Sequence, residues 1–182
     1  MSEFSIKLGF LRLFALAALV LLLRPAHGQL TVEITGAGAN RIPVAIADFG
    51  GDPASSRIVT SVIRADLERS GLFRMVDTSG VAMTEATAPV FADWKNRGAD
   101  ALAAGSIGAS DGGREEARFR LFDVTKQSVL GGSAFVTSKA TLRAAGHRIA
   151  DIIYEKLTGE PGVFSTRVAY VVRAGAARYE LH

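Results

Sequence analysis

Apolar residues recur along this chain at helical and strand spacings. From Leu142 to Leu157, the residues Leu142, Ala145, Ile149, Ile152, Ile153 and Leu157 fall three or four apart and so share one face of a helix. Arg143, Arg148, Asp151 and Glu155 take the other side. Gly159 follows the last periodic residue and suits a left-handed cap, and Pro161 beyond it prevents continuation. Ile58, Val59, Val62, Ile63 and Leu67 mark a second amphipathic helix, closed by Gly71. Gly50-Gly51-Asp52-Pro53 turns the chain into it, with Asp52 as helix N-cap and Pro53 as first helical residue. Val90, Phe91 and Trp94 predict a short helix that ends at Gly98.

Strands are predicted between these helices. Leu30, Val32 and Ile34 alternate with Thr31, Glu33 and Thr35, the pattern of a half-buried strand. A loop over Gly36-Ala37-Gly38-Ala39-Asn40 leads to Ile42–Phe49, mostly apolar, which reads as an inner strand. Phe73–Val76 and the Ala-rich Ala101–Ile107 are short strands. Ala117–Val124 and Val129–Val136 are longer, joined by Lys126-Gln127-Ser128 as a hairpin. In the first of them Phe119, Leu121 and Asp123 alternate with Arg118, Arg120 and Phe122. A strand over 166–172 and a turn at Gly175 into Tyr179-Glu180-Leu181 close the chain. The order β-β-α-β-α-β-β-β-α-β-β predicts an α/β fold, a mixed β-sheet flanked by two main helices.

The N-terminus carries an export signal. Lys7 and Arg12 lie before and at the edge of the apolar block Leu13–Leu23, which is shorter than the about 20 residues a bilayer span needs. Ala26-His27-Gly28 offers small residues at the two positions a signal peptidase reads, so cleavage is expected after Gly28 and the mature chain begins at Gln29. Arg24 is an irregularity in that leader, and a retained membrane anchor is the alternative. With no cysteine there is no residue to acylate, no disulfide framework and no thiolate metal site. The net charge of +3 comes largely from Lys7, Arg12 and Arg24, against Glu3; without the leader 18 basic and 17 acidic residues remain. That near balance removes the argument for nucleic acid. A mature chain near 150 residues is long enough for one core.

Candidate chemistry is sparse. Gly108-Ala109-Ser110-Asp111-Gly112 matches G-x-S-x-G, but a nucleophile elbow needs a helix after the serine, and strands flank it here. Ser-Asp-Gly-Gly is also what a hairpin turn wants. His147 has Asp151 one helical turn away, a pair able to orient a base, though more often a helix-surface pair. Glu115 and Glu116 point to opposite faces of a strand and cannot work together. Gly36-x-Gly38 and Gly50-Gly51 lack the continuation of a phosphate loop. Arg114, Arg118 and Arg120 form a small basic patch on a sheet face. The expectation is no catalytic residue, no cofactor, no metal, and work by binding.

One stretch carries more than architecture. The combination Arg143, Ala145-Gly146-His147, Asp151, Glu155-Lys156-Leu157-Thr158-Gly159, Gly162, Phe164, Thr166-Arg167 and Ala169-Tyr170 resembles the TolB family, where it marks the junction between an amino-terminal α/β domain and a β-propeller. The similarity extends upstream through LTVEIT and its Gly-rich loop, RIPVAIADF, the pattern of Ile63, Asp66-Leu67, Ser70-Gly71 and Phe73, and Trp94 with Gly98-Ala99-Asp100. This resemblance implies a noncatalytic periplasmic module of the Tol–Pal envelope system, serving outer-membrane integrity and cell division. It implies that the mature N-terminus contacts TolA, here Gln29, Leu30, Thr31, Val32, Glu33, Ile34 and Thr35, and that Pal is bound by the propeller. An alternating strand at a free terminus suits addition to a partner's sheet, and equally pairing within its own. The expected organisation is a signal peptide over 1–28, the α/β domain over 29–164 and the start of a truncated propeller over 165–182. Two other readings stay open: an adaptor of another envelope machine, such as cell-wall synthesis, and a small hydrolase using Ser110 and His147.

Overall fold

The computed structural model describes residues 41–166, 169, 171–173, 175 and 178–181. The leader, the predicted strand from Leu30 to Thr35 and its loop lie outside the described residues, as do Arg167, Val168 and Tyr170.

The apolar run after Arg41 builds two short strands, β1 (Ile42–Ile46) and β2 (Asp48–Gly51), rather than the single one expected over 42–49. Both pair in parallel with β5 (Ala101–Ser110): Ile46 lies opposite Ala103, and Gly50 opposite Ser106. Four steps on one side therefore match three on the other, which defines a β-bulge at Ala47-Asp48. Ala47 N donates to Ala103 O at 3.0 Å, while Asp48 N turns the other way, to Val81 O at 3.2 Å. Asp48 is the one polar residue of the run and sits at this break, but a single polar residue in an apolar run does not by itself signal a bulge.

Helix α1 (Pro53–Arg69) begins as predicted: Asp52 is the N-cap and accepts Ser55 N at 3.0 Å. That hydrogen bond holds the Asp52 carboxyl below its ordinary pKa. Strand β3 (Phe73–Val76) then pairs in parallel with β1, and β4 (Ala82–Met83) with β2. Two residues are too few to show a period, and β4 was not anticipated. Helix α2 (Phe91–Asn96) leads through Gly98, at φ +76°, to β5. Strands β6 (Arg114–Asp123) and β7 (Ser128–Thr137) follow as antiparallel neighbours, each reaching further than its apolar pattern. Helix α3 (Leu142–Thr158) ends at Gly159, left-handed at φ +81°. A separate antiparallel pair, β8 (Val171–Arg173) with β9 (Tyr179–Leu181), forms the expected C-terminal hairpin.

The main sheet is mixed, as predicted. Parallel β3, β1 and β5 lie side by side, β2 and β4 extend one end, and β6 and β7 complete the other side. Both faces of the inner strands are buried. Val44, Ile46, Ile107, Phe119 and Leu121 pack under α1 and α3 with Ile63, Leu67, Ile149 and Ile153. Ala45, Ala47, Leu102, Ala104 and Phe122 face Met83 and Trp94 of the α2 side. Burial on both sides is why Ile42–Ala47 is continuously apolar rather than alternating.

Candidate functional site

Gly146 is where the two long helices touch. A Cβ there would fall 2.8 Å from Val62 Cβ and 3.2 Å from Val59 O, so only glycine lets α3 lie this close to α1. The close approach brings His147 against Asp66, 81 residues earlier. Asp66 is 3% exposed, and its carboxylate meets His147 Nδ1 at 2.5 Å and the Arg69 guanidinium at 3.1 Å. With the carboxylate ionised, Nδ1 is the donor. A buried carboxylate needs such partners, and Asp66 needs them twice over, because the last turn of a helix disfavours negative charge.

The expected His147–Asp151 pair is therefore not formed. Asp151 instead holds the segment after α3: it accepts Phe164 N at 2.6 Å, Ser165 N at 3.0 Å and the Ser165 hydroxyl. A surface pair one helical turn apart is worth only a few tenths of a kcal/mol, and each member found a stronger partner. Gly162 lies against this clamp, where a Cβ would stand 2.4 Å from Asp151 Cα. Phe164 then stacks edge-on against Tyr154, and Tyr154 against Phe73. Asp151, Gly162 and Phe164, all in the family motif, thus fasten the segment that follows α3. Asp151→Ala removes three charge-assisted hydrogen bonds, each worth about 1.5–3 kcal/mol when intact. Amide exchange at Phe164 and Ser165 is expected to rise by one to two orders of magnitude while the core strands keep their protection. Unchanged exchange at those two amides would show that the clamp does not hold this segment.

The remaining candidates separate. Ser110 closes β5 and passes through a single 3-10 turn, Asp111–Gly113, into β6. No helix follows, so the geometry of a nucleophile elbow is not made. Glu115 and Glu116 do face opposite sides. Glu115 is 8% exposed and accepts the Ser55 hydroxyl at 2.8 Å beside the first turn of α1, where a negative charge is favoured. The sequence alone put the two on opposite faces without saying which is inward; alternation with Ala117, Phe119 and Leu121 is the signal that picks Glu115, while its partner Ser55 is beyond sequence reasoning. Arg114 turns back to Asp111 O at 3.1 Å, while Arg118 pairs with Glu116 on the open face of β6. Among the described residues no three His, Asp or Glu groups gather as a metal set. The predicted contact residues Gln29 to Thr35 lie outside the described residues.

Comparison with known proteins draws these features together. A family model, the TolB amino-terminal domain, matches residues 30–130. The chain is 67% identical over 150 residues to the Tol-Pal system protein TolB of Dechloromonas aromatica, a match covering 82% of this chain and 35% of that one. It is 51% identical over 177 residues to the protein of the same name from Aromatoleum aromaticum, covering 97% of this chain and 41% of the relative. Among solved structures, TolB from Acinetobacter baumannii superposes with a TM-score of 0.61 at 32% identity, over 78% of this chain and 35% of that chain. The chain thus spans between a third and a half of the length of these relatives. With the fold, the junction motif and the family model in agreement, the chain belongs to the TolB family and carries its amino-terminal domain.

Proposed function

We propose that this chain is a noncatalytic interaction module of the Tol–Pal system in the periplasm, where it serves outer-membrane integrity and cell division. The observation that carries the reading is the 67% identity, over 82% of the chain, to a protein named for that system. On this reading residues 1–28 are a signal peptide cleaved after Gly28, residues 29–164 form the working domain, and 165–182 open a propeller. The mature N-terminal segment Gln29, Leu30, Thr31, Val32, Glu33, Ile34 and Thr35 binds TolA by adding a strand to its sheet: backbone hydrogen bonds give affinity, and Leu30, Val32 and Ile34 set the register. Pal contact belongs to the propeller blades rather than to this domain. The Asp151 clamp serves this division of labour by fixing the chain where one domain hands over to the next.

Calorimetric titration of residues 29–182 with the periplasmic C-terminal domain of TolA tests the reading, beside a version that lacks 29–35. Binding that disappears with the deletion is expected. Equal binding by both proteins moves the contact elsewhere on the domain, and no binding by either refutes the TolA assignment for this chain.

A further inference from the structure

Among the described residues strand β7 pairs only with β6, and none of them pairs with its other edge. The edge is long. Ten residues at about 3.3 Å each give roughly 33 Å of backbone whose outward N–H and C=O groups have no ladder partner among the described residues. It is also unguarded. Ser128–Thr137 reads SVLGGSAFVT, without a charge and without a proline. Its one register shift lies near the start, opposite Leu121 and Phe122, and the pairing from Gly131 to Thr137 is regular. Val136 is 50% exposed. The opposite side of the sheet is protected by comparison: β3 has four residues, including Arg74, and β4 has two. Natural sheets shield open edges with charge, proline, bulges or brevity, and β7 uses none of these over its regular stretch.

The charges beside β7 say what fits there. On the open face, Arg118 and Arg120 lie opposite Ala134 and Gly132, whose small side chains leave a shallow groove of about 380 Å³ lined by both arginines. On the helix face, Arg148 stacks over the Phe135 ring at 4.9 Å, and the Lys156 side chain lies over Gly131. The acids across from or beside the strand are Glu116, taken by Arg118; Glu115, which is buried and accepts the Ser55 hydroxyl; Asp123, which holds Lys126 at the far end; and Glu85, bonded to the Ser106 hydroxyl at 2.6 Å. Arg118 already serves Glu116, so Arg120, Arg148 and Lys156 are the cations beside the strand without an ion-pair partner among the described residues, whereas the carboxylates nearby all have partners. A second copy of this chain would bring the same sign to the same edge. We infer that the outer edge of β7 docks an extended acidic segment of another protein, added as one more strand, with its carboxylates alternating between Arg118 and Arg120 on one face and Arg148 and Lys156 on the other. None of these residues belongs to Gln29–Thr35, the segment assigned to TolA.

Chain purified from the periplasm is titrated into a fluorescein-labelled twelve-residue peptide that repeats valine-glutamate-glutamate, which puts carboxylates on both faces of the added strand, with a valine-lysine-lysine counterpart as control. Anisotropy reports binding, and amide exchange reports where. The glutamate peptide is expected to bind at least about tenfold more tightly than the lysine peptide and to slow exchange along Gly131–Thr137. Arg118→Glu with Arg120→Glu, both on exposed positions, is expected to weaken it by about tenfold while leaving Tm unchanged. Four outcomes overturn the inference: no binding of the glutamate peptide; binding that leaves β7 exchange unaltered; binding that appears only after residues 29–35 are removed, which makes the chain its own occupant; and dimerisation that the peptide displaces, which makes the occupant a second copy.

Discussion

Gly105→Ala is expected to destabilise the domain by about 3 kcal/mol, the upper end of the overpacking range, and to lower Tm by on the order of 10 °C. Gly105 sits in the middle of β5, between both cores. A Cβ there would stand 2.4 Å from Arg118 O and 2.5 Å from the Phe49 ring. Neither obstacle is free to move. The carbonyl belongs to the β5–β6 ladder, and Phe49 is 5% exposed just beyond the bulge. The β-propensity a methyl adds is worth less than about 1 kcal/mol, so the clash decides the sign. Gly108→Ala, three residues on, is the control. Nothing lies within 4 Å of a Cβ at that site, and its stability should stay within about 0.5 kcal/mol of the parent. Urea unfolding followed by circular dichroism measures both, and equal midpoints for the two variants would contradict the packing described at Gly105.

Asp66→Ala is the second large effect, about 2–3 kcal/mol. Removing one member of a buried ion pair costs about 3–5 kcal/mol when both are desolvated. The Asp66 side chain is 4% exposed, but those of His147 and Arg69 are 29% and 71% exposed, and solvent screens their loss. Asp66→Asn keeps the shape and removes the charge, so it should lie between the parent and the alanine variant. A double-mutant cycle with His147→Ala isolates the pair, and a coupling of about 1–2 kcal/mol is expected. The same cycle between His147 and Asp151 should give about zero, because those two side chains serve different partners. A large coupling there, with none to Asp66, would reverse the assignment.

These two sites show where local reasoning succeeded and stopped. Asp66, Gly146, His147 and Asp151 all stood out in the family pattern, yet the only pairing that helix geometry offered, His147 with Asp151, does not form. Spacing along one helix ranks neighbours by distance within that helix. It says nothing of a second helix laid across it, and Gly146 brings that helix within reach. The G-x-S-x-G match failed as an elbow for a reason that was legible, since the residues around it alternate as strands on both sides. The TolB resemblance reached the family, and its junction motif gained a physical account only when Asp151 was seen to hold Phe164 and Ser165.

What the amino-acid order alone determined is everything that depends on a few neighbouring residues. The inward faces of α1 and α3, the Asp52 cap with Pro53 behind it, the left-handed Gly159, and the opposed Glu115 and Glu116 follow from backbone geometry repeated every two or 3.6 residues. The tertiary structure decided what depends on distant backbone coming within hydrogen-bond reach. The bulge at Ala47 exists because Asp48 N finds Val81 O and Ala47 N finds Ala103 O. Two-residue β4 exists because β2 offers it a partner. Glu115 meets Ser55 across 60 residues, and His147 meets Asp66 across 81. Desolvation makes each of these contacts obligatory once the chain has collapsed, because a buried polar group without a partner costs more than any local preference supplies. No local period encodes which partner will be there.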